Sequence, residues 1–359
     1  MKIQTRIGVD LHKCQLNTAV LDESGYLVER RVIDTKCRKQ IGEYFGSYGD
    51  RAQVAVESVG FYQWFWDLVR PQVGALHLAD PAGVRAHAGR KAKTDRNDAL
   101  LLATLLRDQR LPMAYVPREP VRQLREMVRH RHSVARALAG ERRSLRWLAL
   151  KNNLPGPSSF TSERAQKWLL SVEPKLSAVH RLGARQRLDH IIALERDVWD
   201  IEQEIDKLAE ADAELLRQVT LMETVPGIGR LTAVTIAAET GDITRFDNID
   251  QLGAYAGLVP RVSQSGESVH HGHISKQGPP TLRWVLQQAA WVAIRTSPRA
   301  RAIYARIAKR AGSKKAATAM ARKLLVHAWS VCRHNTPFHW PGESAPQAPQ
   351  PAAGPDFEI

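Results

Sequence analysis

Cysteine is scarce: Cys14, Cys37 and Cys332 are the only three in 359 residues. None stands in a CxxC pair, which excludes a disulfide framework or zinc knuckle and leaves ordinary reduced thiols. No apolar run approaches the roughly 20 residues needed to span a bilayer. The opening "MKIQTRIGVD" lacks the apolar segment of a secretory signal, so the expectation is a cytoplasmic protein with no membrane partner. Acid is missing in one long stretch: Lys276 to His334 holds thirteen Lys or Arg and no Asp or Glu. An ordinary solvated surface mixes both signs, so this stretch reads as an electrostatic footprint for nucleic acid. The whole chain carries a formal charge of +15, which points the same way.

The residues present divide the chain into regions. "RIGVDL", "LNTAVLD" and "LVERRVID" read as three strands separated by turn signals such as Glu23-Ser24-Gly25. A helix near Lys39 to Tyr48, the strand "AQVAVES", a helix through "WFWDLV", the strand "ALHLAD" and a helix opening at Thr94 follow. A meander and then alternating helix and strand predict an α/β domain with a mixed sheet over residues 1–115. Residues 116–218 read as helical. Ile191, Leu194, Val198, Ile201, Ile205, Leu208 and Leu215 fall on alternating steps of three and four, the seam of a coiled coil, with Asp212 as its one break. The Arg-rich helix from Pro120 to Leu150 offers the acidic flanks of that seam an antiparallel partner, or else presents a solvated or phosphate-gripping face. Residues 219–338 form a mostly helical third region, and the Pro/Ala-rich residues 339–359 read as a disordered tail.

Chemistry is suggested by carboxylates. Asp10 ends "IGVD" and Glu57 ends "VAVE", and catalytic groups of α/β sheets commonly sit at carboxyl ends of strands. Asp95 and Asp98 stand three residues apart at the mouth of a helix. They serve either as first-turn acids capped by Thr94, or as two carboxylates on one helical face. Four such acids converging without a cation would repel one another, and a hard ion such as Mg²⁺ resolves this.

Two further stretches carry signals. Pro226-Gly227-Ile228-Gly229 between apolar helical patterns resembles a helix-hairpin-helix turn, where glycine lets the backbone approach a phosphate at a helix N-terminus. The segment from Gly257 to Trp291 holds Ser263, Ser265 and Ser268 in what reads as a Gly-containing loop. Arg261, His270, His271, His273, Lys276 and Arg283 flank them. No Cys or acidic ligand accompanies the histidines at a recognised metal spacing, so phosphate contact or plain loop polarity is the reading. A serine here needs a base, a metal or nearby cations to become a nucleophile.

"GVDLHK", "VESVGFY", "KTDRNDA", "VPGIG", "GLVPRVSQSG" and "ISKQGPPTLRW" occur in this order. The ordered set, from about Arg6 to about His334, resembles the DEDD transposases of the insertion-sequence one-ten family, viewed as bridge-RNA-guided recombinases. The resemblance implies an RNase-H-like, RuvC-like N-terminal domain, a central coiled coil and a helical C-terminal transposase domain. It implies that Asp10, Glu57, Asp95 and Asp98 ligate Mg²⁺ (or Mn²⁺), and that Ser265, with Ser263 as second choice, attacks DNA to form a phosphoserine link. Gly227, Gly229, Arg261, Lys276 and Arg283 are the expected nucleic-acid contacts. Donor and target DNA, a structured guide RNA and further copies of the chain, as a dimer or tetramer sharing active sites, are the implied partners, with the protein associated with the nucleoid.

Other readings of the same residues make different predictions. A metal-dependent structure-specific nuclease would use water and leave no protein–DNA adduct. A non-catalytic nucleic-acid-binding protein would tolerate alanine at all four acids. An actin-like ATPase would need a second Gly-rich phosphate loop of the DxG type, which is not found.

Overall fold

The computed structural model describes residues 5–87, 95–156, 161–265 and 268–340; for residues 95, 96, 262–265 and 268–271 the backbone alone is described. The chain forms two compact units, 1–116 and 117–359.

The first unit is built on a five-stranded sheet. Its strands are β1 (Thr5–Leu11), β2 (Gln15–Leu21), β3 (Leu27–Asp34), β4 (Ala52–Glu57) and β5 (Ala75–Ala79), in the order β3-β2-β1-β4-β5. The first three form an antiparallel meander, whereas β4 and β5 run parallel to β1. The mixed sheet expected from the alternation of apolar runs is therefore present. Alternating side chains divide it into two faces. Ile7, Val9, Leu11, Val54, Val56, Leu76 and Leu78 face a core closed by α1 (Arg38–Tyr48) and α2 (Gln63–Val69), through Ile41, Phe45, Phe65 and Val69. After the short α3 (Pro81–His87), α4 (Asp95–Arg107) covers the opposite face. There Leu102, Leu105 and Leu106 pack with Ala55 and Ala79.

Gly8 explains how closely α4 approaches. A Cβ at Gly8 would collide with the carbonyl oxygen of Ala99 and lie 2.6 Å from the Ala103 nitrogen. Small residues on both sides let helix backbone rest on strand backbone. Thr94, the expected N-cap of α4, lies outside the described residues.

The second unit opens with two long helices, α5 (Glu119–Lys151) and, after α6 (Ser162–Val172), α7 (Ala178–Glu210). They pair antiparallel. Arg131 bonds Glu202 at 2.6 Å, Arg142 bonds Glu195 at 2.5 Å and Arg187 bonds Glu141 at 3.1 Å, so the sequence numbers of partners run in opposite directions. Part of the arginine face of α5 is thus neutralised by α7. Burial pushes the Glu195 carboxyl up, but hydrogen bonds from Ser162 and Arg142 outweigh this and hold it below the usual carboxylate range.

The apolar seam is shorter than its spacing suggests. α7 ends at Glu210, and the Asp212 carboxylate caps the next helix, α8 (Ala213–Glu223), by accepting from the Glu214 and Leu215 amides. Leu215 therefore belongs to α8. The seam also serves two cores: Ile191, Leu194 and Val198 pack with α6, whereas Ile201, Ile205 and Leu208 join the larger core beyond.

That larger core is formed by α8, α9 (Arg230–Thr240), α10 (Ile249–Ala256), α11 (Pro280–Thr296), α12 (Pro298–Ala311) and α13 (Ser313–His334). α9 is buried from Ala233 to Thr240, which places a carboxylate, Glu239, in the interior. Between α10 and α11 the chain forms an antiparallel hairpin of β6 (Pro260–Ser265) and β7 (Ser268–Ile274), where the sequence suggested a serine loop. Phe338 and Trp340 pack edge-on against one another and against His327 at this core, so Trp340, the second residue of the expected tail, is packed. The rest of it, from 341, lies outside the described residues.

Candidate active site

The carboxyl ends of β1 and β4 are neighbours. Val9 is in register with Val56, which places Asp10 beside Glu57 at the end of the parallel pair. Both belong to the set that includes Gly8 and Ala55, on the face covered by α4. Asp98 lies in the first turn of α4, next to Ala99, the residue resting on Gly8. Asp95 is the first residue of α4, and its side chain lies outside the described residues. Three of the expected acids are therefore carried by elements that meet at one end of one sheet face. Among the described residues no three His, Cys, Asp or Glu are gathered closely enough to form a metal cluster.

Asp10 is 8% exposed, and its Oδ2 lies 2.8 Å from Nε2 of His12. His12 was absent from the residues singled out by sequence, although it stands two positions on from Asp10. A second such residue is Asn17 of β2, in register with Asp10 and 5% exposed. Its Nδ2 has no hydrogen-bond partner among the described residues. A buried amide donor without an acceptor is unusual, and here it lies on the strand next to an expected catalytic acid. Nothing local marks it, because Asn in "LNTAVLD" reads as a strand position like any other.

In the second unit, the candidates serve several tasks. Ser265 is in register with Ser268, and Ser263 with His270, so the serines occupy paired strands. Their side chains lie outside the described residues, as do those of His270 and His271. Arg261 is exposed, and its Nη2 donates to the Ser275 carbonyl at 3.2 Å, tying the foot of the hairpin. Lys276 follows the hairpin and is exposed. Arg283 donates from Nη1 to the carbonyls of Ala256, Gln277 and Gly278 at 3.3, 2.8 and 2.9 Å. That guanidinium nitrogen holds a loop together, and burial lowers the pKa of the group.

The glycine turn between α8 and α9 has two different members. A Cβ at Gly227 would meet the Ala289 carbonyl oxygen at 2.6 Å and the Ala293 Cβ at 2.7 Å, so its missing side chain admits α11. Gly229, the N-cap of α9, has nothing within 4 Å of that position and is open. Arg230 beside it is paired with Asp206, Glu210 and Glu223. Burial raises the pKa of Glu223, with Arg230 opposing.

A sheet end carrying acids, followed by a second unit rich in Arg and Lys, has the chemistry of an enzyme that works on nucleic acid. A family model described as a transposase model, of DEDD type, matches residues 7–151, and that of the IS116/IS110/IS902 transposase family matches residues 219–305. The chain belongs to this IS110-type family of DNA transposases and recombinases. It is 26% identical over 340 residues to the transposase for insertion sequence element IS1111A of Coxiella burnetii, covering 90% of this chain and 88% of the relative. It is 27% identical over 293 residues to the pilin gene-inverting protein of Moraxella bovis, covering 79% and 80%. A third relative, the transposase for element IS1328 of Yersinia enterocolitica, is 36% identical over 149 residues, covering 39% and 42%. Among the described residues no helix is long and apolar enough to cross a membrane.

Proposed function

We propose that this protein cuts and rejoins DNA through a serine–phosphate intermediate, with Ser265 as nucleophile and Asp10, Glu57, Asp95 and Asp98 as the acidic set of an RNase-H-like, RuvC-like domain. The observation that carries the reading is the placement of Asp10 and Glu57 side by side at the strand ends, with Asp98 on the helix that covers them. Oxygen donors of this kind suit a hard divalent ion, Mg²⁺ or Mn²⁺, and Asp10, Glu57, Asp95 and Asp98 would hold it. When bound, such an ion polarises phosphoryl oxygens and stabilises developing negative charge.

The chain's own groups do the rest. The Ser265 oxygen forms a bond to phosphorus as a backbone P–O bond of the DNA breaks. The serine proton is lost, and the departing DNA oxygen gains one. Rejoining reverses this with a new DNA hydroxyl, and the phosphodiester energy held in the link removes any need for ATP. The exposed basic residues of the second unit hold nucleic-acid backbones by charge, without reading sequence. Sequence choice is then left to base pairing with a structured guide RNA. The same proposal assigns residues 1–115 to the acidic domain, 116–218 to the coiled coil and 219–338 to the serine domain. It places the protein at the nucleoid as a dimer or tetramer.

The test is a denaturing gel of protein, element-junction DNA, guide RNA and Mg²⁺. Wild type is expected to give a protein-linked DNA band that both Ser265→Ala and Asp10→Ala lose. Cleavage that survives Ser265→Ala without an adduct would replace the proposal with a water-using nuclease.

A further inference from the structure

At the foot of the β6–β7 hairpin lies a cavity of about 430 Å³, enclosed by Pro260, His273, Lys276 and the first turns of α13. Lys314, Lys315 and Arg322 form its other side, and among the described residues no carboxylate lines it. Arg322 is answered from outside the cavity by Asp250, at 2.7 Å. Among the described residues, Lys276, Lys314 and Lys315 have no acidic partner, in contrast to the paired arginines along α5.

The lysines are also held where folding alone would not put them. Lys314 and Lys315 are the second and third residues of α13, at the positive end of its dipole, whereas a lysine is stabilised at the opposite end. Lys276 has φ of 55°, in the left-handed region that a side chain of its kind rarely occupies. Its backbone is fixed there, because its amide donates to the Gly257 carbonyl at 3.2 Å and Arg283 secures the carbonyls of Gln277 and Gly278. Positive charges that converge against local preference are relieved by an anion.

We propose that this cavity grips the phosphate backbone of duplex DNA beside the cleavage point. The proposal rests on the reading of Ser265 as nucleophile. DNA is the occupant because Pro260 and His273 belong to the two strands that carry Ser265 and its partner Ser268. Pro260 and Ser265 are five residue steps apart along β6, about 17 Å at roughly 3.3 Å per residue. A duplex rises about 3.4 Å per base pair, so the gripped phosphate lies about five base pairs from the one that Ser265 attacks.

The experiment measures affinity for a labelled duplex carrying the element end across a salt series, with an RNA hairpin of equal length as the second probe. Lys314→Ala/Lys315→Ala removes two charges from exposed positions. Lys276→Asn removes the third with a residue that tolerates the left-handed backbone. The double variant should lower the slope of log affinity against log salt by about 1.8 for duplex DNA, at about 0.9 per lost phosphate contact. Lys167→Ala, an exposed lysine paired with Glu163, should leave it unchanged. Phosphate-ethylation interference should lose one contact about five base pairs from the cut. An unchanged DNA slope overturns the proposal, and so does a loss confined to RNA. Failure of the serine reading is separately visible: wild type would then form no protein–DNA adduct, whatever the lysine variants do to binding.

Discussion

Gly8 on β1 lies against the carbonyl of Ala99 on α4, with no room between them for a Cβ. The contact fixes how close the helix bearing Asp98 comes to the strand bearing Asp10. Gly8→Ala forces helix and strand backbone apart, and neither is a flexible side chain that can step aside. Overpacking of this kind costs about 1–3 kcal/mol. We expect a lower melting temperature and a large loss of strand cleavage, while DNA binding by the basic second unit is retained. Cleavage at wild-type rates in Gly8→Ala would mean that the spacing of α4 from β1 does not matter to the chemistry.

Much of the first unit was legible because each strand is a short apolar run bounded by turn residues, and Asp10 and Glu57 end such runs visibly. The antiparallel pairing of α5 with α7 was open to inference from opposite charge, as Arg142–Glu195 and Arg131–Glu202 illustrate. Other features were hidden for physical reasons. The β6–β7 hairpin is polar and rich in Ser, Gly and His, so its period-two pattern carries no apolar signal. Gly227 resembles a phosphate-approach glycine in sequence, yet its close neighbour is α11, a contact set by tertiary packing alone. The proximity of His12 and Asn17 to Asp10 depends on strand ends and register, which local propensity does not encode.

Arg129 and Glu239 give an asymmetric prediction. The Glu239 side chain is fully buried, and both its oxygens accept from Arg129, at 2.9 and 2.7 Å, whereas the Arg129 side chain is 52% exposed. The hydrogen bond to Glu239 raises the Arg129 pKa, with burial opposing. Arg129→Met leaves a buried carboxylate short of its main partner and should cost about 3 kcal/mol. Glu239→Gln leaves a guanidinium that water can reach and should cost nearer about 1 kcal/mol. Arg125 Nε also lies 3.9 Å from Glu239 Oε2. Denaturant midpoints of the two variants test this order, and the reverse order would show that Arg125 alone suffices for Glu239.

His327 makes stability depend on pH. Burial, aided by Lys323, lowers its pKa to about 4 from 6.5. The neutral ring packs against Phe338 and Trp340 at centroid distances of 4.8 and 5.8 Å. Because the folded-state value is depressed, the unfolded chain binds the extra proton between these two values. The contribution is fully present above pH 6.5 and is lost as pH falls towards 4, by at most about 1.4 kcal/mol per pH unit. Below pH 4 both states are protonated and the slope disappears. His327→Gln should flatten the melting temperature between pH 6.5 and 4, and an unchanged slope would assign the acid sensitivity elsewhere.

Asn17 separates stability from activity. Its Nδ2 is buried and without an acceptor among the described residues, on the strand beside Asp10 and in register with it. Leaving such a donor unsatisfied costs about 1–3 kcal/mol, so an apolar residue that suits a strand should stabilise the fold. We expect Asn17→Val to raise the melting temperature while strand cleavage falls, on the hypothesis that the amide left without an acceptor beside Asp10 donates to bound DNA. Stability and cleavage should therefore move in opposite directions. A variant that is both more stable and fully active would reduce Asn17 to a tolerated imperfection of β2, and one that is less stable would mean that the amide already has a structural partner, such as a bound water.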